Sequence, residues 1–158
     1  VDKLTGNTGA NRLSGGVGND ILDGAAGNDT LYGDSGNDRL TGGSGADKLY
    51  GGTGADTFVF TSYKDSTASA RDMIYDFSQS QGDRIDLSAI DARTTTSSTN
   101  DAFTFIGEKA FTKKAGELRY LNKDGDTYLY GDVNGDGTAD FTIRLDKTID
   151  FVRGDFIL

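Results

Sequence analysis

Large apolar residues recur at every ninth position through the first third of the chain, and the positions between them are mostly glycine or polar. From Gly6 to Val59 one phrase repeats six times without a gap: Gly-Gly-x-Gly-x-Asp, any residue, a large apolar residue, any residue. A fixed period is the signature of a stacked repeat. Six turn residues and a three-residue strand make half a coil, so two copies close one coil. The pattern predicts that every second copy stacks on the same side, about 4.8 Å apart.

Each conserved position of the phrase has its own physical role. Glycine tolerates positive φ and close backbone approach, so the first and fourth positions mark sharp turns. The apolar eighth position supplies one inward-facing side chain per copy: Leu13, Leu22, Leu31, Leu40, Leu49 and Phe58. The sixth position is an aspartate in five copies and asparagine in the first: Asn11, Asp20, Asp29, Asp38, Asp47 and Asp56.

Stacking of alternate copies brings the aspartates together in pairs, such as Asp20 with Asp38, Asp38 with Asp56, and Asp29 with Asp47. Two carboxylates about 4 Å apart repel by about 4 kcal/mol at an effective dielectric constant near 20. A positive ion between them removes that cost. Two carboxylates and several turn carbonyls make a flexible all-oxygen site, which suits calcium better than magnesium or zinc. The alternative, a flexible glycine-rich linker, does not explain why aspartate and leucine keep strict phase.

Composition narrows the possible functions. The chain has 158 residues, a net charge of −9, and no cysteine or histidine. The negative charge argues against nucleic acid as a partner and favours cations. Without histidine or cysteine there is no Ser-His-Asp chemistry, cysteine nucleophile or zinc-histidine hydrolysis. We find no membrane-spanning run and no signal peptide, and the start in mid-repeat suggests a fragment of a longer protein.

Two later segments keep the ending of the phrase, Asp72-Met73-Ile74-Tyr75 and Asp83-Arg84-Ile85-Asp86. We interpret them as degenerate copies that extend the roll, which makes Asp72 and Asp83 candidate further ligands; ordinary charged strand ends are the alternative. The segment from Asp91 to Asn100 is rich in Thr and Ser and predicts an exposed, mobile connection.

The last third predicts short strands at Phe103 to Ile106, Leu118 to Leu121, Thr127 to Tyr130 and Phe141 to Leu145. Asp124-Gly125 between the second and third is a tight-hairpin signal. Glu108 to Ala115 is a candidate for one short helical turn. The sequence therefore predicts an all-β protein: a parallel β-roll over residues 1–90 and an antiparallel β cap over residues 91–158 that covers the open end of the roll.

One loop of the predicted cap resembles a calcium-binding EF-hand loop. Asp132 to Asp140 places oxygen side chains at alternate positions and glycine at the sixth, which makes Asp132, Asn134, Asp136 and Asp140 candidate ligands. Ile143 stands where such a loop has its bidentate glutamate. A solvated hairpin loop explains the same residues.

The nonapeptides resemble those of RTX proteins. The segments 83–88 and 131–141 are similar to the C-terminal domain of serralysin-type secreted proteins. The resemblance implies that turn carbonyls and repeat aspartates hold several calcium ions, with Asn11 putting the first site in doubt. The turn residues it implies as ligands are Gly15, Gly18, Gly24, Gly27, Gly33, Gly36, Gly42, Gly43, Gly45, Gly51, Gly52 and Gly54.

The same family ends in an acidic residue followed by three apolar ones, as part of a type I export signal. Asp155, Phe156, Ile157 and Leu158 have that form. The resemblance thus implies a secreted, extracellular protein that meets a type I (ABC) secretion machinery and is covalently attached to an upstream domain. An ordinary terminal strand is the alternative interpretation of these four residues.

Three functions follow from these observations. The first is a non-catalytic calcium-folded module that carries the secretion signal for an attached enzyme or other cargo. The second, which the resemblance to RTX-type modules of alginate epimerases implies, is a polysaccharide-binding module. The third is a self-contained carboxylate-pair enzyme, which the use of the acids in turns disfavours. Candidate contacts for the second are Tyr120, Tyr128, Tyr130, Arg119, Lys113 and Lys114.

Overall fold

The computed structural model describes residues 1–96 and 101–158, and almost all of its regular structure is β-strand. The first nine strands are β1 Lys3–Thr5, β2 Arg12–Ser14, β3 Ile21–Asp23, β4 Thr30–Tyr32, β5 Arg39–Thr41, β6 Lys48–Tyr50, β7 Thr57–Val59, β8 Asp72–Ile74 and β9 Arg84–Asp86. The last five are β10 Thr104–Phe105, β11 Glu117–Lys123, β12 Asp126–Asp132, β13 Phe141–Leu145 and β14 Phe156–Ile157.

Alternate copies of the repeat pair in parallel, as the period predicts. One sheet has the order β1-β3-β5-β7-β9-β14, and the other has the order β10-β11-β12-β13-β8-β6-β4-β2. In the first sheet Leu22 lies opposite Leu40, and Leu40 lies opposite Phe58. The chain therefore alternates between two sheets and forms a parallel β-roll. β8 and β9 continue the two sheets beyond the sixth copy, so the degenerate segments do extend the roll.

The space between the sheets is filled by one apolar side chain per copy. Leu22, Leu31, Leu40, Leu49 and Phe58 are all completely buried. Residues on either side of each leucine point outward because side chains alternate along a strand. Each sheet therefore contributes one row of apolar side chains, and these two rows form the core of the roll.

The cap continues the second sheet of the roll. Its strands β11, β12 and β13 are antiparallel, as predicted, but β10 pairs in parallel with β11. β11 and β12 form a hairpin whose two-residue turn is Asp124-Gly125, both with positive φ, as the sequence predicts. β13 pairs antiparallel with β12 and parallel with β8, which attaches the cap to the roll.

The predicted helical turn at Glu108 to Ala115 is wrong. This segment is a loop without helix, in which Lys113 has φ +64°. Glu117 holds the loop instead, since its carboxylate accepts hydrogen bonds from both the amide and the hydroxyl of Thr112. The exposed connection expected for residues 91–100 falls partly on residues 97–100, which lie outside the described residues.

The chain returns to the roll at its end. After a 3₁₀ turn at Arg153–Asp155, β14 pairs in parallel with β9 and becomes the last strand of the first sheet. No helix in the described part of the chain is long and apolar enough to cross a membrane.

Candidate metal sites

The repeat aspartates form two ladders, one along each turn edge of the roll. In each ladder Oδ1 of an aspartate accepts a hydrogen bond from the backbone amide of the equivalent residue one coil earlier. The first ladder runs through Asp2, Asp20, Asp38, Asp56 and Asp83. The second ladder runs through Asn11, Asp29, Asp47 and Asp72. Both candidate aspartates beyond the repeats thus occupy ladder positions.

The second carboxylate oxygen has no partner in six of these aspartates, whereas Oδ2 of Asp83 accepts the amide of Ser78 at 2.8 Å. Oδ2 is buried and accepts no hydrogen bond in Asp20, Asp29, Asp38, Asp47, Asp56 and Asp72. A buried, unsatisfied carboxylate oxygen is costly because burial removes its water and nothing replaces it. Six such oxygens at equivalent positions form a regular feature of the roll, and each requires a positive partner.

Backbone carbonyl oxygens of the turns lie near the unpartnered Oδ2 atoms. A methyl group built at Gly33 would lie 2.5 Å from Oδ2 of Asp38 and 2.5 Å from the carbonyl oxygen of Gly51. At Gly24 the equivalent distances are 2.5 Å to Asp29 and 2.6 Å to Gly42. Gly15, Gly24 and Gly33 therefore lie beside one carboxylate oxygen and one carbonyl oxygen, and Gly42 and Gly51 lie beside a carboxylate oxygen. That donor set is all-oxygen, as a calcium site requires.

Electrostatics confirm that the ladders are unfavourable as free carboxylates. Burial, together with neighbouring ladder aspartates, raises the pKa of Asp47 and of Asp56 to about 6. Burial together with Asp47 and Asp65 raises the pKa of Asp72 to about 9. Backbone amides act in the opposite direction without cancelling these effects. Ionised aspartates therefore destabilise the roll unless a cation neutralises them.

One end of each ladder lacks a free side-chain oxygen. In the second ladder, Oδ1 of Asn11 accepts the amide of Asn7, so the first copy lacks the free oxygen that the other copies have. In the first ladder, Asp83 uses both oxygens, since Oδ1 accepts the amide of Asp56 and Oδ2 accepts the amide of Ser78. Asp76, which lies outside both ladders, accepts the amides of Gly51 and Gly52, both at 2.8 Å. The carbonyl of Gly52, a predicted ligand, accepts a long hydrogen bond from Gln81.

The loop from Asp132 to Asp140 is organised by its own backbone. The two carboxylate oxygens of Asp132 accept the amides of Gly135 and Gly137, and Asp136 accepts the amide and hydroxyl of Thr138. Asp140 accepts the amide of Val133 and a side-chain amide hydrogen from Asn134. In the described residues no three acidic side chains converge as a metal-binding group, here or in the roll. A metal ion in the loop from Asp132 to Asp140 therefore stays a prediction. In the roll, the candidate donors are turn carbonyls together with single carboxylates.

Comparison with known proteins identifies the family of this chain. The sequence profile of the family described as Peptidase M10 serralysin C terminal matches residues 8–158. The chain belongs to the serralysin C-terminal family. A search of curated proteins finds no match.

Solved structures of the same shape include two modules of a mannuronan C5-epimerase from Azotobacter vinelandii. The AlgE6R2 subunit has 27% sequence identity and a TM-score of 0.67, over 98% of this chain and 91% of that one. The AlgE6R3 subunit has 32% identity and a TM-score of 0.59, over 89% of this chain and 72% of that one. The serralysin C-terminal domain is thus a repeat module and not the catalytic part of a protein.

Two further rows of stacked side chains in this serralysin C-terminal domain were not predicted from the sequence. Asparagines at the fifth repeat position, Asn19, Asn28 and Asn37, accept amides one coil later at 2.8 to 2.9 Å. At the ninth position Tyr32 and Tyr50 stack with ring centroids 4.7 Å apart, and Tyr50 stacks on Tyr75 at 4.5 Å. The recurrence of both residue types at one repeat position was the available signal.

The proposed export residues are part of the folded sheet. Phe156 is buried and lies opposite Ile85, and the carbonyl of Ile157 accepts the amide of Leu87. The carboxylate of Asp155 accepts hydrogen bonds from the Val152 amide and the Gln79 side chain. The alternative interpretation, a terminal strand, therefore describes their folded state.

The candidate polysaccharide contacts are scattered. Tyr120 is buried among aromatic rings and cannot offer its face to a sugar. Tyr128 stacks against Tyr130, and Arg119 lies over Phe111. Lys113 and Lys114 are exposed on the loop before β11.

Proposed function

We propose that this serralysin C-terminal domain is a non-catalytic module that folds on binding several calcium ions and serves an attached secreted protein. The observation that carries the proposal is the series of six buried Oδ2 atoms without a partner, beside the space left by the repeat glycines. Calcium supplies the positive charge and the high coordination number that such oxygens need. The family match supports the same ion.

The thin core makes folding dependent on that ion. Ordering a residue costs about 1–2 kcal/mol of backbone entropy, and the roll buries one large apolar side chain per nine-residue copy. In a low-calcium cytoplasm the ladder carboxylates repel one another and the roll stays unfolded. At the roughly millimolar calcium found outside cells, sites of the weaker extracellular class fill and fold it.

Calcium titration followed by far-UV circular dichroism tests this proposal. Starting in chelator, the part of the strand signal that comes from the roll should appear cooperatively as free calcium rises towards about the millimolar range, and chelator should remove that part again. Magnesium at the same concentration is the control, because it demands a tighter octahedral site and should fold the roll poorly. A strand signal that is the same with chelator and with calcium would refute the proposal.

We further propose that the four terminal residues act as a type I export signal before the domain folds. Their burial in the folded sheet supports recognition of the unfolded chain, since an export machinery cannot contact Phe156 in place. Co-expression with a type I exporter tests this: the substitutions F156S and D155N should reduce export, and V152S, at an exposed neighbouring position, should not. Equal export of all variants would contradict the proposal.

Polysaccharide binding is the second candidate function. Its support is the similarity to modules of a mannuronan C5-epimerase together with a local group of cations on an acidic protein. Calorimetric titration of the calcium-loaded module with alginate oligomers tests it. Saturable binding supports this candidate, and silence in the folded state rejects it.

A further inference from the structure

The cap contains a cleft of about 450 Å³ that none of the preceding functions uses. It lies between β10, the loop before β11, and Arg93. Its lining residues are Arg93, Thr104, Ile106, Lys109, Thr112, Lys114, Ala115 and Glu117. The volume is within the usual range for small-molecule sites, about 300–1,000 Å³.

The cleft concentrates positive charge on a negatively charged chain. It collects three cations, Arg93, Lys109 and Lys114, whereas the whole chain has a net charge of −9. All three side chains are exposed, and none forms an ion pair with another described residue. Cations gathered in one concave place raise the local concentration of anions. The electrostatics of the cleft therefore favour a ligand with more than one negative charge.

A single acid, Glu117, lies at the base of the cleft and is already engaged. It is buried, and its two oxygens accept the amide and the hydroxyl of Thr112. These bonds fix the loop that carries Lys109 and Lys114, so the loop keeps its cations at the rim of the cleft. Glu117 is thus a positioning residue, and the net charge of the lining side chains stays positive.

The remaining walls select among anions. Ile106 and Ala115 give an apolar surface, and the hydroxyls of Thr104 and Thr112 give short polar groups. A sugar ring has an apolar face and hydroxyl edges, and an acidic sugar adds a carboxylate. Mixed walls of this kind with cations at the rim match such a ring better than a compact inorganic anion.

We infer that this cleft is a binding site for a short stretch of an acidic polysaccharide, with Arg93, Lys109 and Lys114 contacting its carboxylates. This inference rests on the second candidate function, and it names the place and the ligand class. The calcium-folded roll holds the cap in position but does not line the site.

Titration of the calcium-loaded module with a short oligogalacturonate tests the inference. Free calcium is held constant by dialysis because acidic sugars bind calcium themselves. The double variant K109Q/K114Q should weaken binding by about tenfold or more, because it removes two of the three cations that the cleft offers to the sugar carboxylates. The control K3Q removes an exposed cation at the far end of the roll and should leave affinity unchanged.

The possible outcomes distinguish failure of the inference about the cleft from failure of the proposed polysaccharide binding and of the proposed calcium-dependent folding. If K109Q/K114Q binds the oligosaccharide as tightly as the unmodified module, the cleft is not the binding site, but polysaccharide binding as a function still stands. No saturable binding by a module whose circular dichroism shows calcium-dependent folding would overturn both, without touching the calcium proposal. Equal binding of a neutral oligosaccharide, or displacement by equimolar sulfate, would also overturn the inference. Tight binding that is lost only in the cleft variant supports it.

Discussion

The roll and the cap are joined in one sheet but are stabilised by different means. The roll has one apolar side chain per copy and a row of buried aspartate oxygens without partners. The cap packs aromatic rings against one another, such as Phe105 with Phe156 and Phe151 with Phe156, both with ring centroids 5.0 Å apart. Its acidic loop satisfies its oxygens with its own amides. The roll therefore depends on an added cation, and the cap depends on apolar burial.

This difference gives the cap a role in folding. A solenoid coil gains little stability until it has a neighbour on which to stack. The cap presents β13 beside β8, and β14 beside β9, so the last coil of the roll has a partner in both sheets. A folded cap thus offers a template from which calcium-driven stacking proceeds towards the N-terminal end.

Breaking the cap should give the largest effect. Phe141 is completely buried and contacts the ring of Phe60. Phe141→Ala should reduce the free energy of unfolding by about 3–5 kcal/mol, because it removes a large ring and leaves a cavity. Urea denaturation in saturating calcium measures this change. Phe111→Ala, at a half-buried ring, is the control and should cost less. Equal losses would mean that Phe141 is no special anchor.

Filling one candidate metal site should weaken calcium-dependent folding of the roll and leave the stability of the cap unchanged. Gly33→Ala puts a methyl group within 2.5 Å of Oδ2 of Asp38 and the Gly51 carbonyl, where the ion would lie. We expect calcium affinity to fall by about tenfold or more, equivalent to about 1.4 kcal/mol. Calcium titration monitored by circular dichroism measures the shift.

The control for that substitution is Gly154→Ala. Nothing lies within 4 Å of a methyl group there, so the calcium midpoint should not change. An unchanged midpoint for Gly33→Ala would show that the ion does not use this space.

The response to pH should have opposite signs with and without calcium. Burial raises the pKa of Asp47 and Asp56 to about 6, whereas in the unfolded chain the pKa of both lies near the ordinary aspartate value of 3.8. The folded state therefore binds these protons more tightly, so their favourable contribution is complete below pH 4 and is lost as the pH rises through about 6. Without calcium, acidification from neutral pH should stabilise the roll.

With calcium present, protons compete for the same carboxylates. Acidification through about pH 6 should then raise the calcium concentration needed for folding, by several-fold. Circular dichroism at fixed pH values measures both trends, and Asp47→Asn should reduce the trend without calcium. A calcium midpoint that stays constant from pH 7.5 to pH 5 would contradict the assignment of these aspartates.

The parts that the sequence predicts are those governed by the repeat. The period alone predicts two parallel sheets, the inward leucines and the stacked aspartates, because each copy has the same environment. It does not predict which oxygen of each aspartate is used, since that depends on an amide one coil away. The prediction of a helical turn at Glu108 to Ala115 was wrong. A hydrogen bond to the carboxylate of Glu117, and not local propensity, fixes the shape of this loop.

The smallest expected effect concerns two turn residues that depart from the repeat. Ala25 and Asp34 occupy the second position, where three other copies have Gly16, Gly43 and Gly52, with φ values of +73° and +72°. A residue with a Cβ atom is strained there by about 1–2 kcal/mol, and glycine recovers most of this at an entropic cost of about 0.5–1 kcal/mol. Ala25→Gly should therefore stabilise the calcium-loaded roll by about 0.5–1 kcal/mol, measured by thermal denaturation.

Asp34→Gly relieves the same backbone strain but should not give the same gain. The carboxylate of Asp34 accepts hydrogen bonds from the Ser14 hydroxyl at 2.5 Å and the Gly16 amide at 3.2 Å, one coil away. Their loss offsets the relief of strain, since each exposed bond of this kind contributes about 0.5–1.5 kcal/mol. Equal stabilisation by both substitutions would mean that the bonds between coils contribute nothing, and that the turns of the roll are set by backbone conformation and the ion alone.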